Sequence, residues 1–130
     1  MTMLPPFSIV IPAFNEAGRI GGTLRATLEY LGRVSPESEL IVVNDGSTDT
    51  TGEIVREAFS KAGPVKTRLI EHHPNRGKGA AVRAGLLAAT HPQPVKLAAV
   101  EQLAKDVGDL RFDDAGSVVL HADFEAIGAS

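Results

Sequence analysis

The sequence predicts one α/β domain with a mostly parallel sheet and helices on both faces of that sheet. Three observations support this class of fold. Short apolar runs rich in β-branched residues alternate with stretches of helical periodicity, a polar loop follows each run, and the elements recur at the spacing of strand–helix–strand units. Because parallel strands joined by crossover helices end at the same edge of a sheet, the polar loops are expected to gather there.

Three strands are predicted from the apolar runs. Residues 7–11 lie between Pro6 and Pro12, and their short length and β-branched content suit a buried parallel strand better than a helix. Residues 40–43 form a second run, which a turn-favouring polar segment ends. Residues 68–71 are less apolar, and the order of the elements favours a third strand there over coil.

Three helices are predicted between and after these strands. The first ends near Gly32, and the second begins at a capping box of Thr50 and Glu53 and ends before Gly63. The third covers residues 80–90, and its small alanine side chains would let it pack closely against a sheet. The apolar positions at helical spacing in the first two helices are Ile20, Leu24, Leu28, Leu31, Ile54, Val55, Ala58, Phe59 and Ala62.

The pattern changes after the third helix. Pro92 and Pro94 prevent a simple continuation of that helix. Residues 95–107 then predict an amphipathic helix, and residues 118–120 predict a fourth strand. The second part of the chain is therefore expected to differ in organisation from the first.

Composition limits the classes of function. The chain of 130 residues is 43% hydrophobic and 22% charged, as in ordinary globular domains, and we treat it as one domain with a βαβαβα part in residues 7–90 and an atypical part in residues 91–130. A net charge of −3 gives no electrostatic footprint for nucleic acid, so no such partner is expected. The absence of cysteine excludes disulfides, thiolate catalysis and cysteine-based zinc sites. No apolar run approaches the roughly 20 residues of a membrane span, so we expect a cytoplasmic chain, at most peripheral to a membrane.

The first chemical motif, residues 11–16, lies where the first strand ends. Polar side chains such as Asn15 and Glu16 at that position can hydrogen-bond a base or a ribose. The alternative is a helix start, because Asn is a favourable N-cap residue and Glu suits the positive end of a helix. Taken alone, the residue types favour the cap.

The second motif, residues 43–49, follows the second strand. Asp45 can accept a hydrogen bond from a base amine or a ribose hydroxyl, and Gly46 would let the backbone approach a ligand closely. A capped turn between strand and helix explains Ser47 and the two residues after it equally well.

The third motif, residues 75–79, is a basic, glycine-rich loop that opens onto the third helix. Exposed backbone N–H groups, the helix dipole and the cations Arg76 and Lys78 together predict a site for a diphosphate. The spacing does not match a Walker loop. The alternative is a solvated glycine-rich turn.

The three motifs occur in a distinctive order. Ile-Pro-Ala-Phe-Asn-Glu, Val-Val-Asn-Asp-Gly-Ser-Thr-Asp and Asn-Arg-Gly-Lys-Gly-Ala-Ala-Val-Arg-Ala-Gly together resemble family 2 glycosyltransferases, in particular the dolichyl- and polyprenyl-phosphate sugar transferases. The resemblance covers residues 7–90. It implies a Rossmann-like GT-A fold, truncated relative to a full GT-A domain, that binds a nucleoside-diphosphate sugar and usually a divalent metal, Mg²⁺ or Mn²⁺.

The resemblance also implies roles for individual residues. Pro12, Ala13 and Glu16 would lie along the nucleoside, and Asp45 would bind the base. The chemistry implied is attack by an acceptor hydroxyl on the anomeric carbon, with metal and cationic groups stabilising the leaving diphosphate. GDP-mannose and UDP-glucose are plausible donors, and a polyprenyl phosphate is one acceptor. The remaining residues implied to shape the pocket or face the nucleotide are Gly46, Ser47, Arg76 and Lys78.

The sequence departs from the family after the third helix. Such proteins normally continue into a strand that ends in the metal-binding motif Asp-x-Asp, but here Thr90 is followed by His-Pro-Gln-Pro, so that strand is displaced or lost. If residues 95–116 are an insertion, the strand at residues 118–120 is the delayed one and leads to His121 and Asp123. These two side chains are then candidate metal ligands, against the alternative of a plain polar strand end.

Three functions remain open from the sequence. The first is an enzyme that transfers a sugar from a nucleotide donor, for which no catalytic base can be named. The second is a catalytically silent nucleotide-binding module. The third is an oligomer-forming fragment, in which another copy covers an exposed edge of the sheet.

Overall fold

A computed structural model describes residues 6–90 and 95–97 of the chain. Strands and helices alternate, as the sequence predicts. None of the helices in the described part combines the length and the apolar character that a membrane span requires. The elements are β1 (Ser8–Ala13), α1 (Ile20–Val34), β2 (Glu39–Asp45), α2 (Thr51–Phe59), β3 (Lys66–His72), α3 (Lys78–Ala88) and β4 (Val95–Leu97).

The strands form one sheet in the order β3-β2-β1-β4, and every pair of neighbours is parallel. The register places Ala13 of β1 opposite Asn44 of β2, and Asp45 of β2 opposite His72 of β3. The carboxyl ends of three strands therefore meet at one edge of the sheet.

Helices cover both faces of this sheet, which confirms the predicted fold class. Successive strand residues point to opposite faces, so alternate side chains face α1 and α2 on one side and α3 on the other. Full burial of one such Val, Leu or Ile side chain contributes about 1.5–3 kcal/mol. The strand residues packed with α1 and α2 include Ile9, Ile11, Leu40 and Val42, and those packed with α3 include Val10, Ile41 and Val43.

The close packing expected of the third helix occurs at Gly85. A Cβ atom built there would lie 2.2 Å from Cγ1 of Val10 in β1. Because real Cβ atoms do not approach other atoms so closely, only glycine permits this distance between helix and sheet.

The end of α2 differs from its predicted position. The helix ends at Phe59, three residues before the predicted end, because the chain tightens into turns with bonds between residues three apart. Lys61 N–H donates to the carbonyl of Ala58 at 3.1 Å, and Ala62 N–H donates to that of Phe59 at 3.2 Å.

α3 is also shifted relative to its predicted range of residues 80–90. It begins at Lys78 and ends at Ala88. At its end, Thr90 leaves the helix to bind the buried carboxylate of Glu39 in β2. The Thr90 N–H donates to Oε1 at 2.7 Å, and the Thr90 hydroxyl donates to Oε2 at 3.0 Å. This tertiary contact has no signal in the local sequence.

The fourth strand corrects a prediction. Residues 95–97 pair with β1 as a parallel strand, so the predicted helix is wrong there and the strand expected after α3 is not lost. Pro92 and Pro94 exclude a continuing helix, and the edge of β1 away from β2 offers N–H and C=O groups for pairing. The fourth strand predicted at residues 118–120 and the rest of the predicted helix belong to residues 98–130, outside the described residues.

β3 forms one edge of the described sheet. Three charged and exposed side chains lie along it, those of Lys66, Arg68 and Glu71. Charged side chains on an edge strand discourage pairing with another sheet. The homo-oligomer expected to cover an exposed edge therefore gains no support from β3.

Candidate functional site

Three loops follow β1, β2 and β3 at the carboxyl edge of the sheet, where the sequence predicts them. They span residues 14–19, 46–50 and 73–77. Ligands of open parallel sheets bind outside this edge. Hydrogen bonds join the first loop to the second, and Asp45 at the end of β2 binds the third, so the three loops form one rim.

Asn15 joins the first loop to the second. Its N–H donates to Oγ of Ser47 at 2.9 Å, and its Oδ1 accepts from the N–H of Thr48 at 2.8 Å. It has a φ of 52°, in the left-handed region that Asn tolerates better than most residues. The N-cap prediction for Asn15 is wrong, because its amide oxygen is engaged across the loops and the cap position of α1 is Arg19.

Asp49 anchors both loops to the start of α2. Its Oδ1 accepts from the hydroxyl of Thr51 and from the Thr51 N–H at 2.9 Å, while Oδ2 accepts from the Ala17 N–H at 3.2 Å. These bonds, that of the Thr51 hydroxyl foremost, hold the pKa of the Asp49 carboxyl below its ordinary value of 3.8. The predicted capping box of Thr50 and Glu53 is wrong, because Thr50 makes no side-chain capping bond and Asp49 binds the Thr51 N–H instead.

Asp45 is the last residue of β2 and is only 3% exposed, whereas the sequence suggests a loop position open to ligand. Its Oδ1 accepts from the N–H of Arg76 at 2.9 Å and lies 3.2 Å from Nδ1 of His72. Its Oδ2 accepts from the N–H of Gly77 at 2.9 Å, and its backbone carbonyl accepts from Nδ2 of Asn75 at 3.0 Å. Asp45 thus binds the third loop to the end of the second strand.

Gly46 allows a close backbone approach, but the described partner is the third loop. Its φ is 74°, and a Cβ atom there would lie 2.4 Å from the backbone nitrogen of Asn75. A side chain at this position would therefore separate the two loops. Contact between Gly46 and a ligand stays a prediction.

Arg76 and Lys78 carry exposed side chains at the start of α3. The expectation of exposed loop N–H groups is wrong for Arg76 and Gly77, because both donate to Asp45. The first N–H groups of α3 have no acceptor within the helix and lie at the positive end of its dipole. An anion bound at this loop would therefore lie close to two cations and to the N-terminus of α3.

The residues implied to lie along the nucleoside occupy β1 and the loop after it. Pro12 and Ala13 are buried at the end of β1. An Oε2 atom of Glu16 lies 2.7 Å from the guanidinium of Arg19, and Glu16 N–H donates to Oγ1 of Thr51 at 2.9 Å. The fold brings these residues to the same edge as the second and third loops.

Sequence reasoning misses two residues at this edge. Phe14 is 48% exposed in the first loop, and an aromatic side chain within a polar loop is a signal that the sequence does contain. His72 is buried at the end of β3, beside Asp45. It lies one residue beyond the predicted strand, so only the strand register identifies its partner.

Residues 6–90 and 95–97 contain no group of three or more His, Cys, Asp or Glu side chains arranged to hold a metal ion. At the rim, Asp45 and Asp49 accept hydrogen bonds from the protein, and Glu16 pairs with Arg19. The candidate ligands His121 and Asp123 lie outside the described residues. The described rim by itself therefore does not fit a metal.

A cleft of about 490 Å³ lies elsewhere, between α1 and α2. Leu28 and Ile54 contribute to its apolar lining, and Arg25 and Lys61 to its charged lining. No residue of the three rim loops lines it, so it is separate from the candidate site.

A parallel sheet with helices on both faces and a basic, glycine-rich loop at its carboxyl edge is typical of Rossmann-like folds that bind nucleotides. Within this class the chain matches the model of glycosyl transferase family 2 over residues 8–95. The chain belongs to this family, which confirms the resemblance carried by the three motifs.

Relatives of known activity include dolichyl-phosphate beta-glucosyltransferases from several organisms. That of Trichomonas vaginalis is 46% identical over 85 residues, which are 62% of this chain and 25% of the relative. The human enzyme is 34% identical over 117 residues, which are 80% of this chain and 36% of the relative. The chain thus spans between a quarter and about a third of the length of these relatives.

Two solved structures support the fold. A mannosyltransferase of Pyrobaculum calidifontis, in complex with GDP-Man and Mn²⁺, is 27% identical with a TM-score of 0.50, over 67% of this chain and 25% of the other. TarS of S. aureus, in complex with UDP, is 21% identical with a TM-score of 0.59, over 79% of this chain and 31% of the other. The second similarity concerns the fold alone.

Proposed function

We propose that this chain binds a nucleoside-diphosphate sugar at the rim and belongs to an enzyme that transfers the sugar to a polyprenyl phosphate. The observation that carries the proposal is the Asp45 carboxylate, which holds the basic third loop beside the two loops that follow β1 and β2. Membership of family 2 and the named activity of the dolichyl-phosphate relatives support the reaction. Because such an acceptor is a lipid, we place the reaction at a membrane surface.

In this proposal the nucleoside lies along the first and second loops. Pro12 and Ala13 form its floor, and Glu16 lies beside the ribose. The exposed ring of Phe14 offers a surface for stacking a base, an interaction of about 1–3 kcal/mol. Asp45 stays a proposed neighbour of the base, but its buried carboxylate already accepts from the third loop on both oxygens, so the proposal requires no bond from it to the base.

The pocket wall in this proposal includes Gly46 and Ser47. Ser47 contributes through its bond to the Asn15 N–H, which holds the first loop in place. The wall is therefore formed before a ligand arrives, and little ordering entropy is lost on binding.

The diphosphate lies against the third loop. The side chains of Arg76 and Lys78 are exposed there and supply charge-assisted hydrogen bonds to phosphate oxygens. The start of α3 adds the positive end of the helix dipole. These groups stabilise the negative charge that develops as the diphosphate leaves.

The reaction itself is a displacement at the anomeric carbon of the sugar. An acceptor oxygen forms a bond to that carbon, the bond from the carbon to the diphosphate oxygen breaks, and the nucleoside diphosphate carries away the electron pair. Arg76 and Lys78 act on the leaving group. The attacking oxygen of a polyprenyl phosphate is largely ionised near neutral pH, and we assign no described residue as a base.

A divalent metal enters the proposal only through residues outside the described part. The mannosyltransferase of Pyrobaculum calidifontis is in complex with GDP-Man and Mn²⁺, and a metal of this kind stabilises a leaving diphosphate. His121 and Asp123 stay the proposed ligands of Mg²⁺ or Mn²⁺, although β4 already supplies the strand after α3, so the delayed strand that led to them is not required. No step above depends on them.

Calorimetry on the full chain tests the proposal. GDP, UDP and their sugar conjugates are titrated with and without Mn²⁺, and guanosine and uridine serve as controls. We expect at least one nucleoside diphosphate to bind with a Kd below about 1 mM, and more tightly than its nucleoside. If no diphosphate binds under either condition, the proposal is wrong and an oligomer-forming fragment is favoured.

A further inference from the structure

His72 is a buried titratable side chain to which the proposed function gives no role. It pairs with Asp45 at the end of the β2–β3 ladder, so both side chains lie on the same face of the sheet, beside the chain that leads into α3. The side chain of His72 is 9% exposed and that of Asp45 is 4% exposed. Water therefore contributes little to holding either group in place.

The contact between them defines a donor and an acceptor. Nδ1 of His72 lies 3.2 Å from Oδ1 of Asp45, and the carboxylate already accepts N–H groups from the third loop on both of its oxygens. Because both carboxylate oxygens accept N–H groups from the loop, we assign the donor of this third contact to Nδ1 of His72.

The three donors to Asp45 differ in what holds them. Arg76 and Gly77 donate from a loop, whereas His72 donates from a strand that is itself paired with β2. The strand residue His72 therefore fixes the orientation of the Asp45 carboxylate. The lone pairs that this contact leaves free then determine where the third loop lies. Buried groups of this kind often orient the residues that contact a ligand.

We infer that His72 is a positioning residue for the diphosphate site. It holds the Asp45 carboxylate in the orientation that accepts the loop N–H groups, and the loop in turn places Arg76 and Lys78. This inference rests on the proposed function, because the effect is expected on binding of the diphosphate and not of the nucleoside alone. His72 itself does not touch the ligand.

Two amide variants separate a donor at Nδ1 from a merely polar side chain. In His72→Asn the amide nitrogen reaches the position of Nδ1, whereas in His72→Gln it reaches that of Nε2 and leaves Asp45 without this donor. The neighbouring, exposed His73 provides the control variant His73→Asn. Calorimetry gives the Kd for the nucleoside diphosphate and for its nucleoside.

We expect His72→Gln to raise the diphosphate Kd by about tenfold, with the nucleoside Kd within about twofold of the parent. His72→Asn and His73→Asn should stay within about threefold of the parent for both ligands. Equal affinities in all chains, an equal loss for both ligands, or no rescue by Asn would overturn the inference.

Amide hydrogen exchange without ligand provides a second readout. The N–H groups of Arg76 and Gly77 should exchange about tenfold faster in His72→Gln than in the parent, while those of α1 keep their rates. Unchanged exchange at both amides overturns the inference, even if the parent binds no diphosphate and the proposed function fails. If His72→Gln does not fold, the exchange rates of the Arg76 and Gly77 amides in His72→Asn provide the test. Rates like those of the parent support the inference, and faster rates overturn it.

Discussion

Acidic side chains at the rim accept hydrogen bonds from other residues of the chain, whereas two basic side chains, Arg76 and Lys78, are exposed to solvent. Asp45 and Asp49 accept several hydrogen bonds each, and Glu16 pairs with Arg19. Negative charge at the rim is thus compensated by internal donors. The exposed side chains of Arg76 in the third loop and Lys78 at the start of α3 then favour an anionic ligand at the rim.

Lys78 should therefore contribute to diphosphate binding more than to nucleoside binding. We expect Lys78→Ala to raise the Kd of a nucleoside diphosphate about tenfold, because a charge-assisted bond is lost, and to leave the nucleoside nearly unaffected. Calorimetry measures both. Lys66→Ala, at the opposite end of β3, is the matched control and should bind like the parent. An equal loss for both ligands would show a general structural role for Lys78 instead.

Asp49 should make the stability of the chain depend on pH. Hydrogen bonds from Thr51 and Ala17 lower its pKa in the folded chain below the ordinary 3.8. Its stabilising contribution is therefore fully present above the unfolded value and is lost as pH falls through the lowered, folded value. Thermal melts between neutral pH and about pH 3 should show a larger loss of Tm for the parent than for Asp49→Asn.

The control for this measurement is Glu37→Gln. Glu37 is exposed before β2, on the side of the sheet opposite the rim. This variant should keep the steeper pH dependence of the parent. Identical pH profiles for the parent and Asp49→Asn would contradict the role given to Asp49.

At the scale of elements, the apolar runs identify the strands because the strands are buried. Every residue of β1 and β2 is buried, so their apolar runs are continuous and both strands can be identified from the sequence. The ends of the strands are harder to predict. β2 continues through the polar Asn44 and Asp45 because β3 pairs with it there, and that pairing leaves no local signal.

The candidate site was predictable in place but not in its contacts. Motif order and parallel topology put the three loops at one edge. Asp45 finds its partners about thirty residues later in the chain, and nothing local to Asp45 indicates that its carboxylate is buried beneath Gly77. β-branched Val95 lies near two prolines in the sequence, but this pattern does not predict a strand. Residues 95–97 form one because they pair with the edge of β1 away from β2.

The contact of α3 with the sheet depends on one glycine. Gly85→Ala should destabilise the chain by about 1–3 kcal/mol, because the added methyl group overlaps Val10 and the helix must move away from β1. Thermal or urea unfolding measures the change. Gly22→Ala is the matched control, since nothing lies within 4 Å of a Cβ there and alanine favours a helix interior. A Gly85→Ala chain as stable as the parent would show that α3 tolerates the shift.

At the scale of the whole molecule, the two faces of the sheet support different parts of the rim. α1 and α2 follow the first and second loops on one face, and α3 follows the third loop on the other. Asp45 joins the two sets across the edge of the sheet. Binding of one ligand along all three loops would therefore draw on both layers of the fold.

Binding and sugar transfer should be separable in this chain. The described residues place cations and a helix start at the rim, yet they include no three-ligand metal group, and we assign no base among them. Loss of one group that stabilises a transition state commonly costs about 10²-fold in rate, or roughly 3 kcal/mol, and several such losses should leave little activity.

If residues outside the described part supply no further catalytic group, we expect the 130-residue chain to bind donor but to transfer sugar slowly or not at all. The assay measures release of nucleoside diphosphate from a labelled donor, with polyprenyl phosphate as acceptor and Mn²⁺ or Mg²⁺ present. A reaction without acceptor corrects for hydrolysis, and the variants His121→Ala and Asp123→Ala test whether any metal effect depends on these two residues. Turnover near the typical enzyme value of about 10 per second would mean that residues outside the described part supply the further catalytic groups. In that case, loss of turnover in those two variants, with folding and donor affinity unchanged, would support them as the metal ligands.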